Sequence, residues 1–210
     1  MKLGAQNSVC SANIATILFY FVFSTEFVNI YSNGPLNLPM VLNTSEPLFL
    51  FLWSYKIRRP EEACKGYDCL KETGSCEQMR KIALDKYMYN FTVSKLRNQS
   101  EWDEQQRVGL FGNNTDPPVS MKVYNTTGGT GMYQNMTLIY NQEKTFNCSV
   151  FIVSEQDTQN AGATRCAMYV KGKLPNRVYP PLQCQIAFNT CGASKKVYKP
   201  YTWTCEVHME

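Results

Sequence analysis

The sequence predicts a mostly β domain, an antiparallel barrel or sandwich. Three observations carry that expectation: short runs of β-forming residues recur between turn clusters, helical periodicity is confined to one segment near the end, and eight of the nine cysteines fall after the N-terminal apolar run. The runs fall at 48–57 (LFLFLWSYKI), 86–96 (KYMYNFTVSKL), 119–125 (VSMKVYN), 132–141 (MYQNMTLIYN), 148–154 (CSVFIVS) and 166–173 (CAMYVKGK). Between them, 98–106, 112–118, 125–131 and 154–163 are rich in Gly, Pro, Asn, Asp and Ser and read as turns and loops. The helical segment is 181–192, PLQCQIAFNTCG, with Pro181 near its start, Gly192 near its stop, and Leu182, Ile186 and Asn189 at helix-like spacing. One helix after a series of strands is the order expected if it packs outside a closed sheet.

The chain divides before the first strand. Residues 13–23, NIATILFYFVF, follow Lys2 as a short apolar run that Glu26 ends before it could cross a bilayer. We therefore expect residues 1–30 to be a secretory signal peptide, 31–45 an extended or short helical arm, and 46–210 the domain. No later segment is long and apolar enough to span a membrane, so we expect a secreted, extracellular chain. Of the nine cysteines, Cys10 leaves with the signal, and the remaining eight imply four disulfides. No C-x-x-C pair occurs and the only histidine, His208, lies among the last three residues, so no metal site is expected.

Sequons begin at Asn43, Asn90, Asn98, Asn113, Asn125, Asn135 and Asn147, and we expect glycans facing water at these positions. At Asn147 the middle residue is Cys148, whose oxidation competes with glycan transfer. A formal charge of +4 with scattered Lys and Arg gives little support to nucleic-acid binding. If Asn90 points outward, period-two alternation sends Asp85, Tyr87, Tyr89, Phe91 and Val93 inward. That interior is either a packed core with Asp85 near its rim or an aromatic-walled ligand cavity.

The C-terminal third carries a resemblance. From Cys148 the order is a cysteine-led strand, a second at Cys166, a proline-containing approach to Cys184, Cys191-Gly192, then VY and a terminal Cys205. This pattern resembles the tick salivary lipocalins of the histamine-binding family, and EPLFLFLWSYKI followed by DCLKET resembles that family's first two strands. The resemblance implies an eight-stranded antiparallel lipocalin (calycin) barrel closed at one end, with a C-terminal helix packed outside. It also implies the pairings Cys148–Cys184 and Cys69–Cys205, which leave Cys166–Cys191 and Cys64–Cys76, with Cys64 and Cys69 able to exchange roles.

The amine-binding members share a motif of Cys-Asp-aliphatic, then Glu-Leu-Trp/Tyr, then Cys, whose acids offset the desolvation of a buried cation. Here Ser149 follows Cys148 where the Asp would stand, and Ala167 stands where the Glu would, so high-affinity histamine or serotonin binding at that site is not expected; Asp85, if inward, could supply one acid. Other members bind fatty-acid mediators, and Arg107, Tyr87, Tyr89, Tyr124 and Tyr169 are the candidates for holding an acid head, Tyr169 foremost because its motif position faces inward. The expected function is sequestration of a small host mediator, an eicosanoid in preference to an amine, by a monomeric protein that needs no cofactor. The alternative is a barrel scaffold that binds a host immune or haemostatic protein. No Ser/His/Asp set is present and no free cysteine is expected, so no enzyme is expected.

Overall fold

The computed structural model describes residues 34–55, 70–97, 101–126, 131–155, 164–191 and 196–205. The first thirty residues, Asn98, Cys64 and Cys69 lie outside them. The elements in order are α1 (Leu38–Leu42), β1 (Leu48–Tyr55), β2 (Leu70–Glu72), β3 (Gln78–Leu84), β4 (Met88–Arg97), β5 (Glu101–Phe111), β6 (Ser120–Asn125), β7 (Met132–Asn141), β8 (Cys148–Glu155), β9 (Thr164–Lys171), α2 (Leu182–Cys191) and β10 (Val197–Lys199). None of the described helices is long and apolar enough to cross a membrane.

Strands β1 and β3 to β9 pair antiparallel in sequence order, and β9 returns to β1 from Leu48↔Lys171 to Tyr55↔Arg165, closing an eight-stranded barrel. Closure leaves these strands no free edge. The first half of β1 also pairs β3 (Leu48↔Met79), whereas its second half pairs β10 (Trp53↔Tyr198), which in turn carries β2 in parallel. A bulge between Leu50 and Leu52 resets the alternation of β1, so that Phe49 and Phe51 pack outside while Leu50 and Trp53 face inward.

One end of the barrel is plugged. Asn37 caps α1 by accepting from the Met40 amide, and the helix buries Leu38, Val41 and Leu42 among the interior residues Leu48, Met121 and Met136. The segment expected as an arm is thus part of the core. Tyr89, Phe91, Phe151 and Tyr169 fill the space above, with Tyr89 stacked on Phe91 at 4.8 Å and Phe151 edge-on to Tyr169 at 5.6 Å.

Helix α2 lies on the outer wall over β7, β8 and β9. Its buried face is Cys184, Ala187, Phe188 and Cys191, and Leu182 is 64% exposed. The two cysteines set that face. Cys148–Cys184 and Cys166–Cys191 tie the helix to β8 and β9 with Cα separations of 6.4 and 6.0 Å.

The third described disulfide corrects the expected pairing. Cys205 bonds Cys76, with Cα atoms 5.4 Å apart, so neither Cys69–Cys205 nor Cys64–Cys76 forms. The cause is the parallel register of β2 on β10: Leu70 lies beside Val197 and Glu72 beside Lys199, so Cys69 precedes the pairing and the chain reaches residues 200–205 only later. The Cys76 amide donates to Pro200 O at 3.0 Å, which places its side chain against Cys205.

Two further expectations change. Residues 101–106 form a strand, with β5 pairing β4 from Met88↔Leu110 to Arg97↔Glu101, although the sequence there reads as loop. The strand from 86 begins only at Met88, and Asp85 and Tyr87 form the turn that precedes it. Asp85 Oδ1 accepts from the Tyr87 and Met88 amides at 2.7 and 2.8 Å, an Asx turn that holds the carboxylate outside the barrel.

Candidate functional site

The interior divides into an apolar lower part and a polar upper part, and register decides which side chains enter each. Residues directly opposite across an antiparallel pair share a face. Arg107 stands opposite the buried Phe91, and Asn125 opposite Arg107, so both face inward. Arg165 stands opposite inward Val153, and Glu77 precedes inward Met79 by two residues. The loops at this end follow β1, β4, β6 and β8, whereas the plugged end carries the 85–87, 112–119 and 142–147 connections.

These groups converge on Tyr169. Its hydroxyl feels the charges of Glu77, Arg165 and Arg107 and the nearby Tyr133, and Tyr89 in turn feels Tyr169. Burial holds the phenols of Tyr169 and Tyr89 neutral to well above the usual tyrosine range, with neighbouring negative character pushing the same way. Two guanidiniums and one carboxylate thus act on the same buried phenol. Arg107 lies over the Tyr133 ring at 4.2 Å and donates from Nη2 to Gln105 Oε1 at 2.9 Å. Arg165 lies 5.6 Å from the centre of the Trp53 ring, and Trp53 stacks on Tyr198 at 4.2 Å with Tyr55 edge-on at 5.2 Å. The upper barrel is therefore lined by aromatic rings with two guanidiniums against them.

Ser149 stands opposite Tyr169, and Ala167 opposite Phe151, so both altered motif positions point into the barrel and are buried. An acid at either place would sit among Tyr169, Phe151 and Trp53. Around Tyr169 the carboxylate is Glu77, beside Arg107 and Arg165.

Of the candidates read from the sequence, Tyr89, Phe91, Tyr169 and Arg107 come together. Asp85 and Tyr87 do not, because both lie in the β3–β4 turn, where Tyr87 is 71% exposed. Tyr124 does not either: it pairs Val108, between inward Arg107 and Gly109, and faces outward. Sequence reasoning missed Arg165, Glu77, Trp53 and Tyr133. Arg165 precedes Cys166 by one residue and Ala167 by two, so alternation from the inward Ala167 could have found it.

The sequon asparagines differ in orientation. Asn43, Asn113 and Asn147 are exposed, and Asn90 and Asn135 lie on the outer face. Asn125 faces the interior. At the plugged end an open hollow of about 360 Å³ is lined by residues including Asn43, Glu46, Lys144, Phe146 and Lys171. Its polar groups are partly engaged, since Lys171 Nζ donates to Thr145 O at 2.9 Å and Asn43 Oδ1 accepts from Lys81 at 3.0 Å. No cluster of three or more potential metal ligands exists among the described residues.

No known family pattern matches the sequence, and no curated protein matches it. Solved structures resemble it in chain course at low identity. Japanin from Rhipicephalus appendiculatus bound to cholesterol is 10% identical with a TM-score of 0.45, covering 74% of this chain and 92% of that one. A bovine odorant-binding protein variant is 11% identical at 0.45, covering 77% and 97%. The siderocalin Ex-FABP is 7% identical at 0.47, covering 79% and 95%.

Proposed function

We propose that the chain is a secreted, non-catalytic lipocalin that sequesters an acid-headed, largely apolar small molecule of the eicosanoid or fatty-acid kind in its barrel mouth. The observation that carries the reading is the pair Arg107 and Arg165 facing inward around Tyr169 while Ser149 and Ala167 occupy the positions of the amine-motif acids. A partly desolvated guanidinium recognises a carboxylate by charge-assisted hydrogen bonds, and a buried ammonium in the same place would meet like charge. In this reading the head lies between the two guanidiniums and the chain runs along Trp53, Val93 and Val153. Such a protein would act stoichiometrically on host mediators, as a monomer, with glycans on the outward sequons.

One observation favours a second reading, the scaffold for a protein partner. The lower barrel is filled by Tyr89, Phe91, Phe151 and Tyr169, each at most 3% exposed, so a long ligand would have to stay in the upper half. Native mass spectrometry of the secreted, deglycosylated protein, titrated with leukotriene, stearate, histamine and serotonin, separates the two. One-to-one uptake of the acids and neither amine supports the mediator reading. Uptake of an amine alone overturns the acid preference, and uptake of none favours the scaffold.

A further inference from the structure

Among the described residues, Arg107 Nε, Asn125 Oδ1 and Gln134 Oε1 of the upper barrel are buried without a hydrogen-bond partner. They are neighbours by register. Arg107 and Asn125 stand directly opposite on β5 and β6, and Gln134 stands opposite Val123, two residues before Asn125 on the same face. Gln134 is 3% exposed, so its carbonyl is not turned to bulk water. Buried polar atoms in folded proteins are nearly always satisfied, and a cluster left open marks a place for a ligand group or for water that a ligand displaces.

The chemistry of the three atoms narrows the ligand. Arg107 Nε is a donor, whereas the two carbonyl oxygens are acceptors. A carboxylate could accept from the first but would face the acceptors with lone pairs, and a methylene could do neither. A hydroxyl does both at once, accepting from Arg107 Nε and donating to Asn125 Oδ1 or Gln134 Oε1. It also reproduces the bonds of a displaced water, which an apolar chain cannot.

We propose that Arg107, Asn125 and Gln134 form a hydroxyl-recognising subsite, so that the preferred ligand is an acid with a hydroxyl close to its head, and that the Asn125 sequon carries no glycan in the mature protein. The proposal rests on the acid-head reading above. Arg107 serves both groups, its Nη atoms facing the head and its Nε the hydroxyl, so the hydroxyl belongs within two or three carbons of the carboxylate. A sugar on the Asn125 amide would occupy the same space as the ligand.

The test uses matched probes of one chain length: stearate and its 2-, 3- and 12-hydroxy counterparts, measured by calorimetry against the secreted protein. The expected result is five- to tenfold tighter binding of the 2- or 3-hydroxy acid than of stearate, with no gain for the 12-hydroxy acid, and loss of the gain in Asn125→Leu and Gln134→Leu. Peptide mapping should find Asn125 unmodified, and Thr127→Ala, which removes the sequon and keeps the amide, should change the mass only by the substitution itself and leave the affinity unchanged. Stearate binding with no gain from any hydroxyl overturns the subsite and leaves the acid-head reading standing. A gain that survives both Leu substitutions, or a glycan on Asn125, also overturns the subsite. Absence of binding by all four acids overturns both.

Discussion

Replacing Arg107 with Met isolates the acid-head reading, because it removes the charge and keeps most of the side-chain length. In the native protein the guanidinium lies over Tyr133 at 4.2 Å, donates to Gln105 and leaves Nε buried with no partner among the described residues. Losing the ring contact costs about 0.5–1 kcal/mol, and removing an orphaned buried donor returns about as much, so the fold should change by less than about 1 kcal/mol. Binding should change far more. A hydrogen bond to a charged group contributes about 1.5–3 kcal/mol, which corresponds to a loss of about ten- to 150-fold in affinity for stearate or a leukotriene. Calorimetric titration of Arg107→Met beside the parent, with thermal unfolding to verify the fold, measures both quantities. An affinity within threefold of the parent in a folded variant would refute the reasoning, since the acid would then be bound somewhere Arg107 does not reach.

Other outcomes follow from the same structure. Tyr124→Ala should leave acid binding unchanged in the same titration, because Tyr124 faces outward; a tenfold loss would contradict the register of β5 and β6. Tyr89, Tyr140, Tyr169 and Tyr201 have pKa values raised chiefly by burial, so their neutral forms are favoured by folding. Stability from these groups is therefore full below the unfolded tyrosine value of about 10 and lost as pH rises past it. Absorbance titration at 295 nm should show these four ionising only above that value, together with unfolding. Changing Cys148 and Cys184 together to Ser opens a loop of 36 residues and should cost about 3.8 kcal/mol by chain entropy, read from urea midpoints; a loss below about 1 kcal/mol would show that packing alone holds α2. Gly172 has φ of +66° and lies against the Glu46 carboxylate, so Gly172→Ala should destabilise by at least about 1–2 kcal/mol in the same assay.

What was legible in the sequence followed the strength of each local signal. The strands at 48–55, 132–141 and 148–154 carry dense β-forming residues and appear where expected. Strand β5 was hidden because Glu101, Asp103, Glu104, Gln105 and Gln106 look like a solvated turn. Their cross-strand partners on β4, including the Arg97–Asp103 ion pair, hold them extended, and only tertiary pairing supplies those. Asp85 and Tyr87 were sent inward by carrying alternation across a turn that Asp85 itself creates. The spacing within 181–192 marks a helix but not its buried face, which the two disulfides and Phe188 fix, leaving Leu182 in water. Tyr169 and the absent acids at Ser149 and Ala167 could be placed from the cysteine frame, while Glu77 and Arg165 needed the closure of β9 on β1 to meet.

The most direct test is a crystal structure of the secreted protein grown with a saturating leukotriene or hydroxystearate. The carboxylate should lie within hydrogen-bond distance of the Arg107 and Arg165 guanidiniums, with the chain against Trp53 and Val153. A ligand seated with its acid in solvent and its tail toward Arg107, or bound outside the barrel, would contradict the acid-head reading.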